Sequence, residues 1–190
     1  MSISAIIMAS GMSERMGEDK LKLLYKGKPI FQYVVDIVKD LDFVDKIIVT
    51  NDEEITKYSV DNGLRAIKND NFRVGKSESI KIGVKNSSKD TSGYMFFVSD
   101  QPLLSKKTVI QLINCFEQNN DKIVYPLFNG KKGTPTIFPI KHKESFFELK
   151  GNQGGLILID ADNSISVRID TEEEHFDIDT KEDYKKLTSE

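Results

Sequence analysis

Cysteine, histidine and long apolar runs are all scarce in this chain. The single Cys115 can close no intramolecular disulfide, and a reducing compartment fits that best. With no histidine near it in the pattern, Cys115 reads as a small, half-buried thiol on a helix rather than a nucleophile. The two histidines, His142 and His175, fall in no motif and are expected at the surface. No apolar run approaches the roughly 20 residues that span a bilayer. No basic residue precedes the first apolar run and no cleavage-like pattern follows it, so the expectation is a cytoplasmic protein with no membrane partner. A basic excess is also missing: 27 Lys and Arg stand against 30 Asp and Glu. That balance argues against nucleic acid, and any anionic ligand must be held by local clusters.

The remaining composition is that of an ordinary globular protein. At 190 residues it is long enough for one well-buried core, and no linker or repeat divides it. Ile3 to Ala9 is a short apolar run that reads as a buried strand. It leads into Gly11-Met12-Ser13-Glu14-Arg15-Met16-Gly17 and then Lys20. This loop lacks the third glycine of a dinucleotide fingerprint and the Gly-Lys-Ser/Thr of a Walker A loop. What it has is permissive backbone, a hydroxyl, the guanidinium fork of Arg15 and the point charge of Lys20, which together suit a polyphosphate. An ordinary surface turn with solvated cations is the competing reading.

Further on, strand-like runs alternate with helical ones. Helical spacing of Ile30, Tyr33, Val34, Ile37 and Val38 precedes a strand at Lys46–Thr50, a helix at 53–62 that Asn51 or Asp52 caps, and a short strand at 64–67. A polar loop from Asn69 leads to a helix carrying Ile80, Gly83 and Val84, for which Ser77 or Ser79 is the expected cap. Tyr94–Val98 is the strongest strand signal and runs into Ser99-Asp100-Gln101-Pro102. Ser105 caps the next helix, and a hairpin-like piece around residues 129–138 makes the second half more mixed. Such alternation predicts an α/β fold with parallel β-α-β units, whose ligands sit beyond the C-terminal strand ends. Three polar clusters follow strands in that way: the glycine loop, Ser99–Pro102, and Asp177-Ile178-Asp179. A carboxylate such as Asp100 opposite a phosphate loop suits Mg²⁺, although an Asp before Pro is also a common turn residue. Asp179 has the same ambiguity, since it or Thr180 can cap the last helix.

These segments also carry a resemblance. Met8–Lys20 resembles the L-A-A-G-x-S-x-R-M-G-x-x-K signature of GT-A-like nucleotidyltransferases, and among them it looks most like the molybdenum cofactor cytidylyltransferases. Gly75–Gly83 is similar to their G-x-S-x-S-L-x-x-G, Ser99–Leu104 to G-D-Q-P-x-L, Gly133–Phe138 to G-x-P-x-x-F, and Asp177–Tyr184 to D-I-D-T-P-E-D-Y. Two departures stand out. Ser10 replaces an Ala, and Gly151–Leu156 lacks the Asp and Arg of G-D-x-G-A-R, on the acceptor side.

The resemblance implies a single three-layer α/β/α Rossmann-like domain with a mostly parallel central sheet. It implies transfer of CMP from CTP to the terminal phosphate of molybdopterin, with release of pyrophosphate and Mg²⁺ as cofactor. A molybdenum hydroxylase or its accessory protein is the implied receiving partner. Arg15, Lys20 and Asp100 are the implied catalytic residues. Ala9, Ser10, Gly11, Ser13, Arg15, Lys20, Ser77, Ser79 and Asp100 would bind nucleotide, and Asp100 and Asp179 the metal. GTP as donor, a sugar or polyol phosphate as acceptor for CTP or UTP, and a non-catalytic cofactor-binding module are the alternatives.

Overall fold

The structure is a computed structural model and describes residues 2–11, 16–17 and 19–189. In chain order the strands and helices are β1 (Ile3–Ala9), β2 (Leu24–Tyr25), β3 (Lys28–Pro29), α1 (Ile30–Lys39), β4 (Asp45–Thr50), α2 (Glu53–Asp61) and β5 (Arg65–Lys68). They continue with α3 (Lys76–Lys85), β6 (Gly93–Val98), α4 (Lys106–Gln118), β7 (Ile123–Phe128), β8 (Lys131–Lys132) and β9 (Thr136–Pro139). The last are α5 (Lys143–Phe147), β10 (Ser164–Ile169) and α6 (Lys181–Thr188).

Among the described residues, the main sheet runs β10-β7-β9-β6-β1-β4-β5, with β8 hydrogen-bonded to β7. β9 is antiparallel to β6 and β7, and β8 is antiparallel to β7; the other pairs are parallel. The hairpin-like insertion of the sequence is therefore the piece that breaks the parallel pattern. Alternation along β1 produces the three layers. Ala5, Ile7 and Ala9 face α1, α2 and α4 through Val34, Val35, Ile55, Leu112 and Phe116. Ile6 faces α3 and α5 through Ile80, Val84 and Phe146. On that side Gly83 is required by closeness, because a Cβ there would stand 2.4 Å from Cγ2 of Ile6.

Capping follows local chemistry. Asp52 accepts from the backbone N–H groups of Glu54 and Ile55, and Ser105 from that of Thr108. Thr180 and Asp183 close a reciprocal capping box on α6. The cap expected from Ser77 or Ser79 is not formed. α3 opens at Gly75, with φ +123° and ψ −171°, and the Ser77 N–H is satisfied instead by the carbonyl of Gly151 at 3.0 Å. The histidines also depart from expectation, since both are half-buried. His175 stacks on Phe128 with ring centroids 5.0 Å apart, and His142 lies edge-on to Phe138. Burial lowers the pKa of both imidazoles. No helix of the described residues is long and apolar enough to cross a membrane.

Candidate active site

Register brings the site together. β1 pairs with β6 as Met8 to Val98 and with β4 as Ala9 to Thr50, while β4 pairs with β5 as Thr50 to Lys68. Four parallel strands thus end in line, and the residues that follow them share one edge: Ser10, Asn69, Ser99 and Asp100. Cross-links fix these ends. The Ser99 hydroxyl donates to the Met8 carbonyl at 2.9 Å, and the Asn69 N–H donates to the Thr50 carbonyl at 3.2 Å. The Ile178 N–H donates to the Asp100 carbonyl at 3.3 Å, which draws Asp177-Ile178-Asp179 against the end of β6. Together these ends floor a cavity of about 570 Å³ between the sheet edge and the start of α3.

A charged cluster lines the cavity. The Lys20 ammonium donates to Oδ2 of Asp100 at 2.6 Å and to Oδ1 of Asp179 at 2.9 Å. Its side chain is only 12% exposed. Burial penalises the ammonium, but the charges and hydrogen bonds of Asp100 and Asp179 outweigh that, and the pKa of Lys20 ends above its ordinary value. The cap of α6 is Thr180 and not Asp179.

Asp177 is a third carboxylate here. It touches solvent at the cavity mouth while protein crowds its inner side. That desolvation, followed by the charge of Asp100, lifts its pKa to about 6, although a hydrogen bond from Gln101 pulls the other way. A signal for Asp177 exists in the sequence. Asp177-Ile178-Asp179 alternates polar and apolar residues, which puts the two carboxylates on one face of an extended segment, and the structure buries Ile178 between them.

Hydroxyl groups line the same cavity. Ser10, Asn69 and Ser79 hydrogen-bond one another, with Ser10 and Ser79 lining the cavity. The motif reading gives Asn69 no role; its only sequence signal is a polar loop after a short strand. Gly11 also lines the cavity. Ala9 lies in the core rather than the cavity wall. Ser77 is wholly buried and is not among the lining residues. Ser13 and Arg15 lie outside the described residues. At the rim Asn152, within the altered Gly151–Leu156 segment, lines the cavity beside Gly75 and Lys76.

Among the described residues no group of three or more His, Cys, Asp and Glu side chains is arranged to hold a metal by itself. Asp100 and Asp179 nevertheless meet the need of a hard cation that takes one or two carboxylates and completes its shell with phosphate oxygens and water. They already converge on one shared cation, the Lys20 ammonium.

Comparisons with known proteins agree with this architecture. Residues 5–165 match the model of the MobA-like NTP transferase domain. A protein of Natranaerobius thermophilus named probable molybdenum cofactor guanylyltransferase is 27% identical over 78% of this chain and 71% of its own length. A 2-C-methyl-D-erythritol 4-phosphate cytidylyltransferase of Caldanaerobacter subterraneus is 28% identical over 60% of this chain, which spans about half of that relative, 53%. A Mycobacterium tuberculosis protein solved as a manganese complex superposes with a TM-score of 0.78, at 17% identity over 100% of this chain and 99% of that one. The expected fold class, a three-layer α/β nucleotidyltransferase fold with a mostly parallel sheet, is the one observed. The chain is a nucleotidyltransferase and belongs to the MobA-like NTP transferase family.

Proposed function

We propose that this chain transfers CMP from CTP to the terminal phosphate of molybdopterin. One observation carries the reading: one cavity at the strand ends is lined both by the Lys20–Asp100–Asp179 cluster and by the hydroxyls of Ser10 and Ser79. A nucleoside triphosphate calls for both kinds of group, since it has a charged tail and a neutral base. An oxygen of the acceptor phosphate forms the new bond to the α-phosphorus as the bond to the β-phosphate oxygen breaks, and pyrophosphate leaves with that electron pair. A phosphate dianion is already nucleophilic near neutral pH, so no histidine is needed. Catalysis then rests on alignment and neutralisation of charge.

In this reading Lys20 moves from its carboxylates to the phosphate oxygens when the donor binds, and Arg15 contributes its fork to the β- and γ-phosphates. Asp100 and Asp179 would hold a divalent cation, Mg²⁺ or Mn²⁺, that supplies positive charge at the α-phosphate. Motif similarity at Gly75–Gly83 and Asp100-Gln101-Pro102 supports CTP. The name of the Natranaerobius relative supports a second reading in which GTP is the donor. A molybdenum hydroxylase or its accessory protein would take the product.

The test is pyrophosphate release by the purified chain with molybdenum-loaded molybdopterin and each NTP in turn. Release with CTP above the other three supports the first reading, and release with GTP the second. No release with any NTP would overturn both.

A further inference from the structure

The outer side of β10 is an open sheet edge. β10 pairs with β7 alone, along Ser164–Ile169. The phase of that ladder is set where the Ile123 N–H donates to the Asn163 carbonyl at 2.8 Å. Backbone polar groups alternate in direction along a strand. Those of Ile165, Val167 and Ile169 therefore turn toward β7, and those of Ser164, Ser166 and Arg168 turn away from the sheet. Among the described residues, these outward N–H and C=O groups have no backbone partner. Sheet edges are ordinarily blunted by lysine, proline or a covering element. The run Asn163-Ser164-Ile165-Ser166-Val167 contains neither residue. The opposite edge, β5, is shorter and carries Arg65 and Lys68.

Carboxylates stand exposed at both ends of this edge, Asp160 and Asp162 before it and Asp170, Glu172 and Glu173 after it. Lys122 and Lys132 donate to the main-chain carbonyls of Asp162 and Ile159. Arg168 meets Asp170 at 3.3 Å, but both side chains are almost fully exposed and solvent keeps such a pair weak. At its C-terminal end the edge meets a second cavity, of about 490 Å³, which Leu127, Asn129, Asp170 and Glu172 help to line.

These charges decide what the edge accepts. A second copy related by a two-fold axis has to pair antiparallel. Centred on Val167, that pairing sets Asp162 of each copy against Glu172 of the other, and like charges directly opposite destabilise a strand pair. An extended segment with cations at its ends has the opposite relation to the same carboxylates.

We propose that β10 is a docking edge for an extended, lysine- or arginine-bearing segment of another protein. The segment adds a strand outside β10. Main-chain bonds to Ser164, Ser166 and Arg168 hold it, the terminal carboxylates orient it, and one basic side chain enters the cavity toward Asp170 and Glu172. The inference stands apart from the nucleotide reading, because none of these residues lines the other cavity.

The probe is a short fluorescein-labelled peptide of alternating Lys and Val, titrated against the full chain by anisotropy beside a Glu and Val control. The Lys–Val peptide should bind, more weakly as salt is raised, and the Glu–Val peptide should not. In hydrogen exchange followed by NMR, the amides of Ser164, Ser166 and Arg168 should slow when the Lys–Val peptide is added. Those of Ile165, Val167 and Ile169 should be protected already. Ser166→Pro keeps the bonds to β7, because the N–H it removes points outward, and should weaken the peptide by about tenfold. Should Ser166→Pro fail to fold, Glu172→Lys/Glu173→Lys carries the same expectation. No binding, equal binding of the two peptides, or affinity unchanged in the folded variant would overturn the proposal. So would unaltered exchange at the three outward amides. A free chain that sediments as a dimer with those amides already protected would give the edge to a second copy and overturn it as well.

Discussion

The ammonium of Lys20 and the carboxylate of Asp100 meet at 2.6 Å although 80 positions separate them in the chain. Parallel pairing of β1 with β6 is what makes the meeting possible, and Lys20 follows one strand while Asp100 follows the other. Charge opposite a transferring phosphoryl group commonly accounts for 10²–10³ in rate. Lys20→Ala and Asp100→Asn are each expected to lower kcat by on the order of 10²–10³. Thermal unfolding should stay cooperative in both. Turnover within a few fold of wild type would remove that residue from the chemistry.

Lys20 also has a bearing on metal affinity. In the nucleotide-free chain its ammonium occupies the space between Asp100 and Asp179 that a divalent ion needs. Removing a competing positive charge from a poorly solvated site strengthens cation binding. Lys20→Ala without nucleotide should therefore bind Mn²⁺ about tenfold more tightly than wild type, as followed by the loss of the free-ion electron paramagnetic resonance signal. Equal or weaker binding would place the ion elsewhere.

Much of this site could be read from the sequence, and the reasons are local. Strand ends followed by polar residues point to Asp100 and to the Asp177–Asp179 cluster, because a buried strand and its exit loop are both short-range signals, whereas Ser10 comes from the family resemblance. Asp177 is named only as part of its cluster, with no role of its own, and Asn69 only as the start of a polar loop, because the significance of both is long-range. Asp177 matters through the charge of Asp100, and Asn69 through serines 59 and 10 positions away. Ser77 misled for a related reason. A serine near a helix start suggests a cap, but the carbonyl of Gly151 already satisfies its N–H and the side chain turns inward. Similarly, the reversal at β9 depends on which strands close around it, and no pattern within Thr136–Pro139 encodes that.

Gly75 ties the acceptor-side segment to α3. Its φ of +123° with ψ near 180° is a conformation essentially confined to glycine. A Cβ there would stand 2.4 Å from Oδ1 of Asn152 and 2.6 Å from the backbone of Gly151. Backbone strain and overpacking act together in Gly75→Ala, which should cost about 2–5 kcal/mol of stability in denaturant unfolding. At temperatures where the variant is folded, KM for the acceptor should rise more than KM for the nucleotide. A variant as stable as wild type would show that residues 151–152 yield freely.

Stability at low pH should depend on Asp36, away from the site. Its carboxylate pairs with Lys28, lies 2.7 Å from the Lys39 ammonium, and accepts from the Tyr58 hydroxyl at 2.9 Å. Partial burial acts to raise its pKa, but the hydrogen bonds from Lys28, Lys39 and Tyr58 prevail and hold it below the ordinary carboxylate value. A depressed folded-state pKa contributes stability that is complete above the unfolded value of about 3.9 and disappears as pH falls through the folded one. The sign is therefore fixed. Wild type should exceed Asp36→Asn in unfolding free energy by a constant margin near neutral pH, and the margin should close as pH drops below about 4. Urea titrations of both proteins across that range measure the margin directly, and one that widens toward acid would mean that the two lysines do not hold Asp36 in its charged form.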